Sequence, residues 1–505
     1  MNNILEFLER TTENMPTHIA VEEGRRSITW KEFSNRAKQY GTMIARLSPP
    51  GNPVAIIAEK SIETLCAMMG TVYAGSFYVI IDPAQPTERL KKVFETLTPS
   101  LIIYGPHVQH ESLELLADCR MVSLESLSCE ATDDALLKRI RAQSSPQDLL
   151  YGIFTSGSTG VPKCIVVSHE AASMFIQHFI ETIGISNTDR LGNQAPFDFD
   201  ISVKDIYTSL LTGATLVLIP KQLFSTPPIL LDYLCEKNVT VLIWAVSALT
   251  LVSALKGLDY RVPSSVRLIM FSGEIMPAKQ LIKWQQALPD TSFYNLYGPT
   301  EVTCNCSFYK IKNEISLEEK IPIGYEFPGR QIFLLDDDGN MIRSSKTNGE
   351  ICVSGESLAA GYYNNPVETS KRFIQKSLLE NVAGSYYKTG DLGYFDESGV
   401  LYFSGRKDFQ IKHMGHRIEL EEIENAMYQI NGVERCCCLM DDQRYHLVAF
   451  YMGNESHEHV RQLLKKNLPA YMVPHRLIQL DDLPLNKNGK TDRKALQQRL
   501  ERIRR

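Results

Sequence analysis

The sequence predicts an α/β fold in which a large amino-terminal domain of layered sheets precedes a small α+β domain. Three observations lead to this prediction. Short apolar, β-branched segments alternate with helical patterns up to about Glu350, hairpin patterns follow, and a separate set of helices and strands begins after Gly405. At about 100–200 residues per domain, a chain of 505 residues is long enough to bury more than one core.

The first elements alternate strand and helix. The strand Val54–Ile57 precedes a helical pattern at Ser61–Tyr73, and the strand Phe77–Ile81 precedes another at Thr87–Leu97. A further strand pattern, Leu101–Tyr104, follows directly. This alternation predicts α/β layers with largely parallel sheets.

The alternation continues through strands at Thr215–Ile219, Val239–Trp244 and Leu268–Phe271. The longest uncharged stretch, Val239–Leu255, contains four Ser and Thr residues. A membrane span needs about 20 predominantly apolar residues. We therefore interpret this stretch as a buried strand that runs into a core helix.

The final 150 residues or so contain two further units. Glu350–Ser354, Val400–Ser404 and the turn Asp336–Asn340 predict antiparallel hairpins and a barrel-like β subdomain. The C-terminal unit combines helical and strand patterns at Glu419–Gln429, Val433–Met440, His446–Tyr451 and Val460–Lys466. We therefore predict a core domain at residues 1–405 and a small C-terminal domain at 406–505.

Composition excludes several classes of protein. The net charge is −6 and there is no long Lys/Arg block, which argues against nucleic acid as a partner. The amino terminus carries Glu6, Glu9 and Glu13 among its apolar residues, unlike a signal peptide or membrane anchor. The 11 cysteines lack paired CxxC spacing, which predicts reduced core thiols and a cytoplasmic location.

The strongest local motif is the Gly/Ser/Thr segment Phe154–Lys163. Its small residues allow successive backbone N–H groups to turn toward one anionic group, and Lys163 adds a positive charge. Val161 and Pro162 follow Gly160, so the Gly-Lys-Ser/Thr of a Walker loop is missing. On its own such a segment is more often a plain turn, but the Pro-Lys ending favours phosphate.

Two further motifs suit a nucleotide. In Asn295–Glu301, Tyr297 can stack on a base and Glu301 can hold Mg²⁺, a cation that prefers carboxylate and phosphate oxygens. In Tyr387–Leu392, Asp391 follows a tight turn and suits two vicinal ribose hydroxyls. Alone, each would be an ordinary turn.

Together these motifs resemble the ANL superfamily of adenylate-forming enzymes, and within it the amino-acid adenylation domains. The resemblance covers nearly the whole chain in the right order. Its other motifs are Ile28–Phe33, Tyr73–Pro83, Gly405–Lys412, Gly415–Glu419 and Asn486–Arg493. The segment Asn193–Tyr207 is most similar to D-alanine–carrier protein ligases.

The resemblance implies ATP and Mg²⁺ as cofactors and a two-step reaction through an aminoacyl adenylate. Tyr297 would pack on adenine, Thr300 would contact the α-phosphate, Glu301 would bind Mg²⁺, and Asp391, with Arg406 nearby, would bind the ribose. The implied ATP site consists of Thr155, Ser156, Gly157, Ser158, Thr159, Gly160, Lys163, Asn295, Tyr297, Gly298, Thr300, Asp391, Arg406 and Lys490.

The resemblance implies that the C-terminal domain, residues 406–505, is a mobile lid, and it assigns catalytic roles to two lysines of this lid. Lys490 would bridge the attacking carboxylate and the α-phosphate during adenylation, although alone it would be interpreted as a surface residue. Lys412 would belong to the face presented for thioester formation. Asp408 would be the hinge about which the lid rotates between the two steps.

The amino-acid pocket carried over from the family consists of Asp200, Ile201, Lys204, Ala245, Met270, Ser272, Gly273, Leu296, Cys304, Asn305 and Lys490. Asp200 would pair with the α-ammonium of the substrate. Alternatively, Asp200 is an ordinary helix N-cap. Asp198 lies two residues earlier, and on a strand its side chain would point to the same side as that of Asp200. This sequence departs from the D-alanine ligases at three positions. Those ligases usually carry Cys at the position of Ser272, a small or polar residue at that of Leu296, and Gly at that of Cys164. We expect D-alanine or another small or modestly polar side chain.

Lys204 has two interpretations. Its ammonium could recruit a side-chain carboxylate of the substrate, whereas a lysine at a helical position most often extends to solvent.

The sequence contains no carrier-domain or condensation motif, so the thiol acceptor is expected to be a separate carrier protein. An acyl- or aryl-CoA synthetase is the alternative enzyme, which Asp200 disfavours. A non-catalytic adenylate-binding sensor is a further alternative, disfavoured by the presence of Glu301 and Lys490.

Overall fold

The computed structural model describes residues 3–106, 108, 119–129, 131–157, 160–312, 315–375, 384–441, 443–485 and 491–504. Three predicted site residues, Ser158, Thr159 and Lys490, lie outside the described residues. Within the described part of the chain, no helix is both long enough and apolar enough to span a bilayer.

The first sheet has nine strands and is parallel in its centre. Its strands are β1 (Ile19–Glu23), β2 (Arg26–Thr29), β9 (Arg190–Asn193), β10 (Thr215–Leu218), β11 (Val241–Ala245), β12 (Leu268–Ser272), β13 (Ser292–Tyr297), β14 (Ser307–Lys310) and β15 (Tyr325–Glu326). They lie in the order β15-β14-β13-β12-β11-β9-β10-β1-β2. The six strands from β13 to β1 pair in parallel.

The second sheet has seven strands, and its hairpin β7–β8 flanks the predicted phosphate loop. The strands are β3 (Pro53–Ile57), β4 (Phe77–Ile81), β5 (Leu101–Tyr104), β6 (Arg120–Ser123), β7 (Leu149–Thr155), β8 (Lys163–Ser168) and β18 (Gly361–Tyr362). Their order is β18-β8-β7-β4-β3-β5-β6, antiparallel only at the β18 end. Both large sheets confirm the predicted parallel layers.

Helices cover the two large sheets, as buried parallel strands require. They are α1 (Leu5–Asn14), α2 (Trp30–Leu47), α3 (Ile62–Tyr73), α4 (Thr87–Leu97), α5 (Asp134–Arg141), α6 (His169–Ile183), α7 (Ile201–Thr212), α8 (Pro227–Glu236), α9 (Val246–Ala254), α10 (Gly257–Tyr260), α11 (Ala278–Ala287) and α12 (Pro366–Arg372). The predicted helix Ser61–Tyr73 is α3, whose N-cap Ser61 accepts a hydrogen bond from the N–H of Thr64. The uncharged stretch after Val239 is β11 followed by α9, as predicted.

The third sheet is antiparallel throughout, which confirms the predicted hairpins. It consists of β16 (Arg330–Leu335), β17 (Gly349–Gly355), β19 (Phe373–Ile374), β20 (Tyr386–Phe395) and β21 (Leu401–Arg406). The Tyr387–Leu392 motif lies within β20, which pairs with β21. In this pairing Asp391 is directly opposite Arg406.

The C-terminal unit has the predicted α+β composition. A hairpin of β22 (Gln410–His413) and β23 (His416–Glu419) leads into a three-stranded sheet with three helices: α13 (Leu420–Tyr428), β24 (Val433–Asp441), β25 (His446–Gly453), α14 (His457–Asn467), β26 (Arg476–Gln479) and α15 (Arg493–Arg504). Cys436 and Cys438 face one core cluster and Cys437 the opposite one, because side chains alternate along β24. The ten cysteines with described side chains are free thiols.

Candidate active site

The loop between β7 and β8 closes tightly and binds a carboxylate. A Cβ at Gly157 would stand 2.1 Å from the carbonyl oxygen of Val161, so only glycine fits this turn. The backbone N–H of Gly157 donates to Glu422 Oε2 at 3.2 Å. The loop therefore presents a donor to an anion where the sequence predicts phosphate, and that anion here is a side chain of α13.

The C-terminal unit docks on this loop through several contacts. The Ser156 hydroxyl donates to the carbonyl of Arg417 at 2.8 Å and accepts from the N–H of Glu419 at 3.0 Å. Glu422 also forms an ion pair with Arg89, and both side chains are buried. Each of these two buried charges is thus satisfied by a partner from the other unit.

Lys163, the predicted phosphate lysine, is paired with a carboxylate. Its Nζ lies 2.7 Å from Glu368 Oε1 and 5.6 Å from the ring centre of Tyr362. Glu368 lies on the short helix α12, between β18 of the second sheet and β19 of the third, so this connection contributes to the site.

The predicted ribose and hinge residues form one network. The Tyr297 hydroxyl donates to Asp391 Oδ2 at 2.6 Å, and Arg406 pairs with the other carboxylate oxygen. Arg406 also holds Asp408, the predicted hinge, through Nε–Oδ1 and Nη2–Oδ2 contacts of 2.6 and 2.9 Å. One guanidinium thus joins the predicted ribose carboxylate to the predicted hinge.

The segment after β13 folds back on itself at Gly298. A Cβ there would lie 2.6 Å from Asn305 Cα, so the close approach requires glycine. Thr303 and Cys304 both have positive φ, at 57° and 69°, which is costly for side chains other than glycine. The side chain of Asn295 is used internally, because its amide donates to the carbonyl of Pro322.

Glu301, the predicted metal ligand, faces a cation from the lid. Arg417 Nη1 lies 2.9 and 2.7 Å from its two oxygens, and the Tyr362 hydroxyl donates to Oε1 at 2.7 Å. Burial by itself would raise the pKa of Glu301, but the Arg417 charge and the Tyr362 hydrogen bond lower it to about 2. The carboxylate is therefore ionised and suited to a cation.

A cavity lies between the carboxyl ends of the first sheet, the start of α7 and the lid hairpin. The predicted residues that line it are Thr155, Ser156, Asp200, Ile201, Lys204, Ser272, Gly273, Gly298, Thr300, Cys304, Asn305, Asp391, Arg406 and Lys412. Ala245, Met270 and Leu296 are buried in the strands behind its wall. A Cβ at Gly415 would lie 3.5 Å from the Cβ of Ala245, so the backbone of the β22–β23 turn approaches this side chain.

Asp200 lies at the N-cap position of α7 but does not cap the helix. Its Oδ2 accepts from the Thr300 hydroxyl at 2.7 Å, and its carbonyl accepts from the Cys304 thiol at 3.1 Å. Asp198 also lines the cavity, and burial, with the charge of Asp82, raises its pKa to about 7. Contrary to the strand geometry considered from sequence, residues 198–200 form a turn, which gives the two carboxylates different surroundings.

Lys204 does not extend to solvent. Its side chain is 1% exposed, and Nζ donates to Asn305 Oδ1 at 2.6 Å. Of the two interpretations of Lys204, the one in which its side chain extends to solvent is therefore wrong.

The lid hairpin β22–β23 inserts Lys412 into the cavity. The N–H of Gly415 donates to Glu274 at 2.9 Å, and the His416 ring packs edge-on against Phe199. Burial lowers the pKa of Lys412, although nearby carboxylates oppose this shift. In this arrangement Lys412 is the predicted catalytic lysine that the structure brings to the site.

Two family models match the chain. Residues 8–363 match the model of the AMP-binding enzymes, and residues 422–490 match that of the AMP-binding enzyme C-terminal domain. The chain belongs to the AMP-binding enzyme family. It is an adenylate-forming enzyme, and the resemblance to the ANL superfamily is confirmed.

Relatives of this AMP-binding enzyme span nearly its full length. Zwittermicin A synthase ZmaJ of Bacillus cereus is 31% identical, with 98% of this chain and 94% of that protein covered. The D-alanine–D-alanyl carrier protein ligase of Listeria monocytogenes is 29% identical, with 98% of each covered. The structure of PA1221, a nonribosomal peptide synthetase protein with adenylation and carrier domains, superposes with a TM-score of 0.86 at 24% identity, covering 98% of this chain and 84% of that one.

Sequence reasoning missed several groups at the site of this enzyme. Arg417 and Glu422 had no assigned role, and neither did Tyr362 and Glu368. Arg417 lies in the Gly415–Glu419 motif, which marks the segment but not its partner. Its contact with Glu301 spans 116 residues of chain, a distance at which no local pattern identifies a pair.

Proposed function

We propose that this AMP-binding enzyme activates an α-amino acid with ATP and transfers it to the phosphopantetheine thiol of a separate carrier protein. The observation that carries the proposal is Asp200. Its carboxylate lines the cavity and is oriented by Thr300 instead of capping α7. A carboxylate in this place can pair with an α-ammonium, which aryl and fatty acids lack.

In the first step an oxygen of the amino-acid carboxylate attacks the α-phosphorus of ATP. The bond from that phosphorus to the bridging oxygen breaks, and pyrophosphate leaves. In the second step the carrier thiol gives its proton to solvent and its sulfur attacks the acyl carbon. The bond from that carbon to the oxygen bridging it to phosphorus breaks, and AMP leaves with the bridging oxygen. Catalysis of the first step depends mainly on positioning and charge neutralisation.

The proposed roles follow the motifs to which the side chains belong. The β7–β8 loop and Lys163 bind the terminal phosphates, Tyr297 the base, Thr300 the α-phosphate, and Asp391 the ribose. Lys490 acts in adenylation and Lys412 in thioester formation, with residues 406–505 moving as a lid about Asp408. The docked hairpin supports this division, because it brings Lys412 to the cavity.

The residues present fit Mg²⁺ bound together with ATP. Glu301 is an ionised carboxylate, and within the described residues no group of three His, Cys, Asp or Glu side chains could hold a metal by itself. This set suits an ion that takes most of its ligands from phosphate and water. Mg²⁺ bound there would neutralise phosphate charge.

The surroundings of the cavity and the D-alanine ligase relatives support D-alanine or another small or modestly polar amino acid as substrate. The test is ATP–pyrophosphate exchange with all L-amino acids, glycine, common D-amino acids, and several aryl and fatty acids. We expect exchange with at least one amino acid and a loss of about 100-fold or more in Asp200→Ala. Asp198→Asn is the matched control and should retain exchange within a few-fold.

A second measurement separates the classes of enzyme. Exchange that is restricted to acids without an α-amine would contradict the proposal and favour a CoA synthetase. ATP binding without exchange would favour a sensor. A labelled amino acid that becomes attached to added phosphopantetheinylated carrier, but not to coenzyme A, would support the carrier as acceptor.

A further inference from the structure

Lys204 is a buried cation on the wall of the amino-acid cavity with an incomplete set of partners. An ammonium has three N–H donors and no acceptor. One donor is used, by Asn305 Oδ1 at 2.6 Å, and the structure gives Lys204 no other hydrogen bond or ion pair to a described residue. Two donor positions are therefore available to whatever fills the cavity.

Lys60 shows how this chain satisfies a lysine ammonium with its own acceptors. Lys60 is half-buried, and its ammonium donates to three oxygens, namely the Asn193 carbonyl, the Asn193 side chain and the Gln194 carbonyl, at 3.0–3.1 Å. Lys60 does not line the cavity. The two lysines thus differ in that Lys204, which faces the cavity, has one protein acceptor where Lys60 has three.

Asn305 supports the same anion site. An ammonium cannot accept a hydrogen bond, so the oxygen of the Asn305 amide must face Lys204 and its nitrogen must face elsewhere. That nitrogen makes no hydrogen bond to a described residue. Ser272 adds a hydroxyl to the same cavity. The wall therefore offers an ammonium, an amide N–H and a hydroxyl as donors.

The carboxylate nearest in sequence does not contact Lys204. Asp205 accepts from the Asn193 amide at 2.8 Å and forms no ion pair with Lys204, although the Lys204 charge acts on it from a longer distance and opposes the rise in the pKa of Asp205 that burial causes. Asp200, at the N-terminal end of α7, accepts a hydrogen bond from the Thr300 hydroxyl. Asp200 and Lys204 are four residues apart and so lie on the same face of the chain at one turn's separation.

We propose that the substrate is an amino acid with a short side chain that ends in a carboxylate, bound by Lys204, Asn305 and Ser272. This inference rests on the proposed function and replaces the small neutral side chain considered there with an acidic one. Asp200 pairs with the α-ammonium and Lys204 with the side-chain carboxylate, while the α-carboxylate stays free to react. A neutral side chain such as that of alanine would leave two donors of a buried ammonium without acceptors, which costs free energy.

The test compares acids with their amides in ATP–pyrophosphate exchange by the full chain. Aspartate and glutamate, in both stereoisomers, are measured beside asparagine, glutamine, serine and alanine. We expect kcat/KM for one of the acids to exceed that for its own amide by about 100-fold or more, because the amide places an N–H donor against an ammonium.

Substitutions at Lys204 give the second measurement. Lys204→Met removes the charge at similar length, and we expect it to lower kcat/KM for the acid by about 100-fold while the amide changes less than three-fold. Lys204→Arg keeps the charge and should retain more activity with the acid than the Met variant. Thermal unfolding of each variant identifies one that fails to fold, and the wild-type acid-to-amide ratio then decides alone.

The outcomes separate this inference from the reaction on which it rests. Exchange could be fastest with alanine, serine or an amide, with the same ranking of substrates in Lys204→Met. That result would overturn the inference of an acidic side chain and leave the proposed function standing. Exchange with no amino acid at all would overturn both.

Discussion

The guanidinium of Arg417 lies on the carboxylate of Glu301, with Nη1 at 2.9 and 2.7 Å from its two oxygens. A cation of the lid thus holds the side chain that we propose for Mg²⁺. Glu422, five residues further on, accepts from the N–H of Gly157 in the proposed phosphate loop. Both contacts belong to one docked position of the lid, which should therefore compete with Mg·ATP.

The first prediction concerns Arg417. Arg417→Met removes the cation that holds Glu301 in the docked position, so adenylation should continue while transfer to the thiol slows by about 10-fold or more. Single-turnover transfer from preformed aminoacyl adenylate measures the second step, and pyrophosphate exchange measures the first. An equal fall in both rates would contradict the idea that Arg417 serves the docked position.

The second prediction concerns Glu422. Glu422→Gln keeps an acceptor for Gly157 but loses the charge that pairs with Arg89, so the docked position should be populated less. We expect pyrophosphate to inhibit thiol transfer several-fold more strongly in this variant, since its competitor at the loop is weaker. The neighbouring Glu421→Gln is the control, and a matching effect there would argue against a specific role for Glu422.

The third prediction uses the lid histidine. His416 stacks on Tyr471 and packs against Phe199, and burial, with nearby cations, lowers its pKa to about 3. Docking therefore favours the neutral ring of His416. Its contribution to docking is fully present above about pH 6.5, the pKa of a free histidine, and is lost as the pH falls toward 3.

We expect thiol transfer to decline below about pH 6.5 more steeply than pyrophosphate exchange. His416→Phe keeps a ring but cannot be protonated, so its transfer rate should lose this extra decline. Rate–pH profiles of both steps from pH 5 to 8 test the point, and an unchanged transfer profile in the Phe variant would assign the decline to another group.

The fourth prediction concerns Lys163. Glu368 holds its ammonium at 2.7 Å, and this contact must be exchanged for one with phosphate when ATP binds. Glu368→Gln should therefore lower KM for ATP about two- to five-fold with kcat nearly unchanged. Glu397→Gln, at an exposed ion pair with Lys346, is the matched control and should leave KM unchanged. A higher KM in Glu368→Gln would mean that Glu368 positions Lys163 for ATP.

Much of the fold followed from local patterns. The helix Thr87–Leu97 and the strand Phe77–Ile81 have the predicted limits, because apolar periodicity and turn residues act within a few positions. The motif Asn295–Glu301 was recognisable because Gly298 permits an approach that a Cβ would block. The strand Leu101–Tyr104 also has the predicted limits, and the other elements differ by one to three residues at one end or both, as expected where helix ends and strand edges depend on packing.

Less of the site could be predicted from the sequence. The motifs brought Asp200 and Lys204 into consideration, but the preference for Asp200 over Asp198 came from resemblance, since both carboxylates precede α7. That Lys204 is buried and paired with Asn305 depends on how α7 packs against the segment after β13. A lysine has the same local pattern whether it reaches water or a cavity, so periodicity could not decide between the two.

By itself the sequence determined the family, the order of the domains and the chemical types at the site, since these depend on residues that lie close together in the chain. The tertiary structure alone decided which polar groups contact one another: Arg417 with Glu301, Glu422 with Gly157, and Lys204 with Asn305. Each of these contacts joins segments that are more than 100 residues apart. Such pairs form only when separate cores dock, and no short-range pattern records that docking.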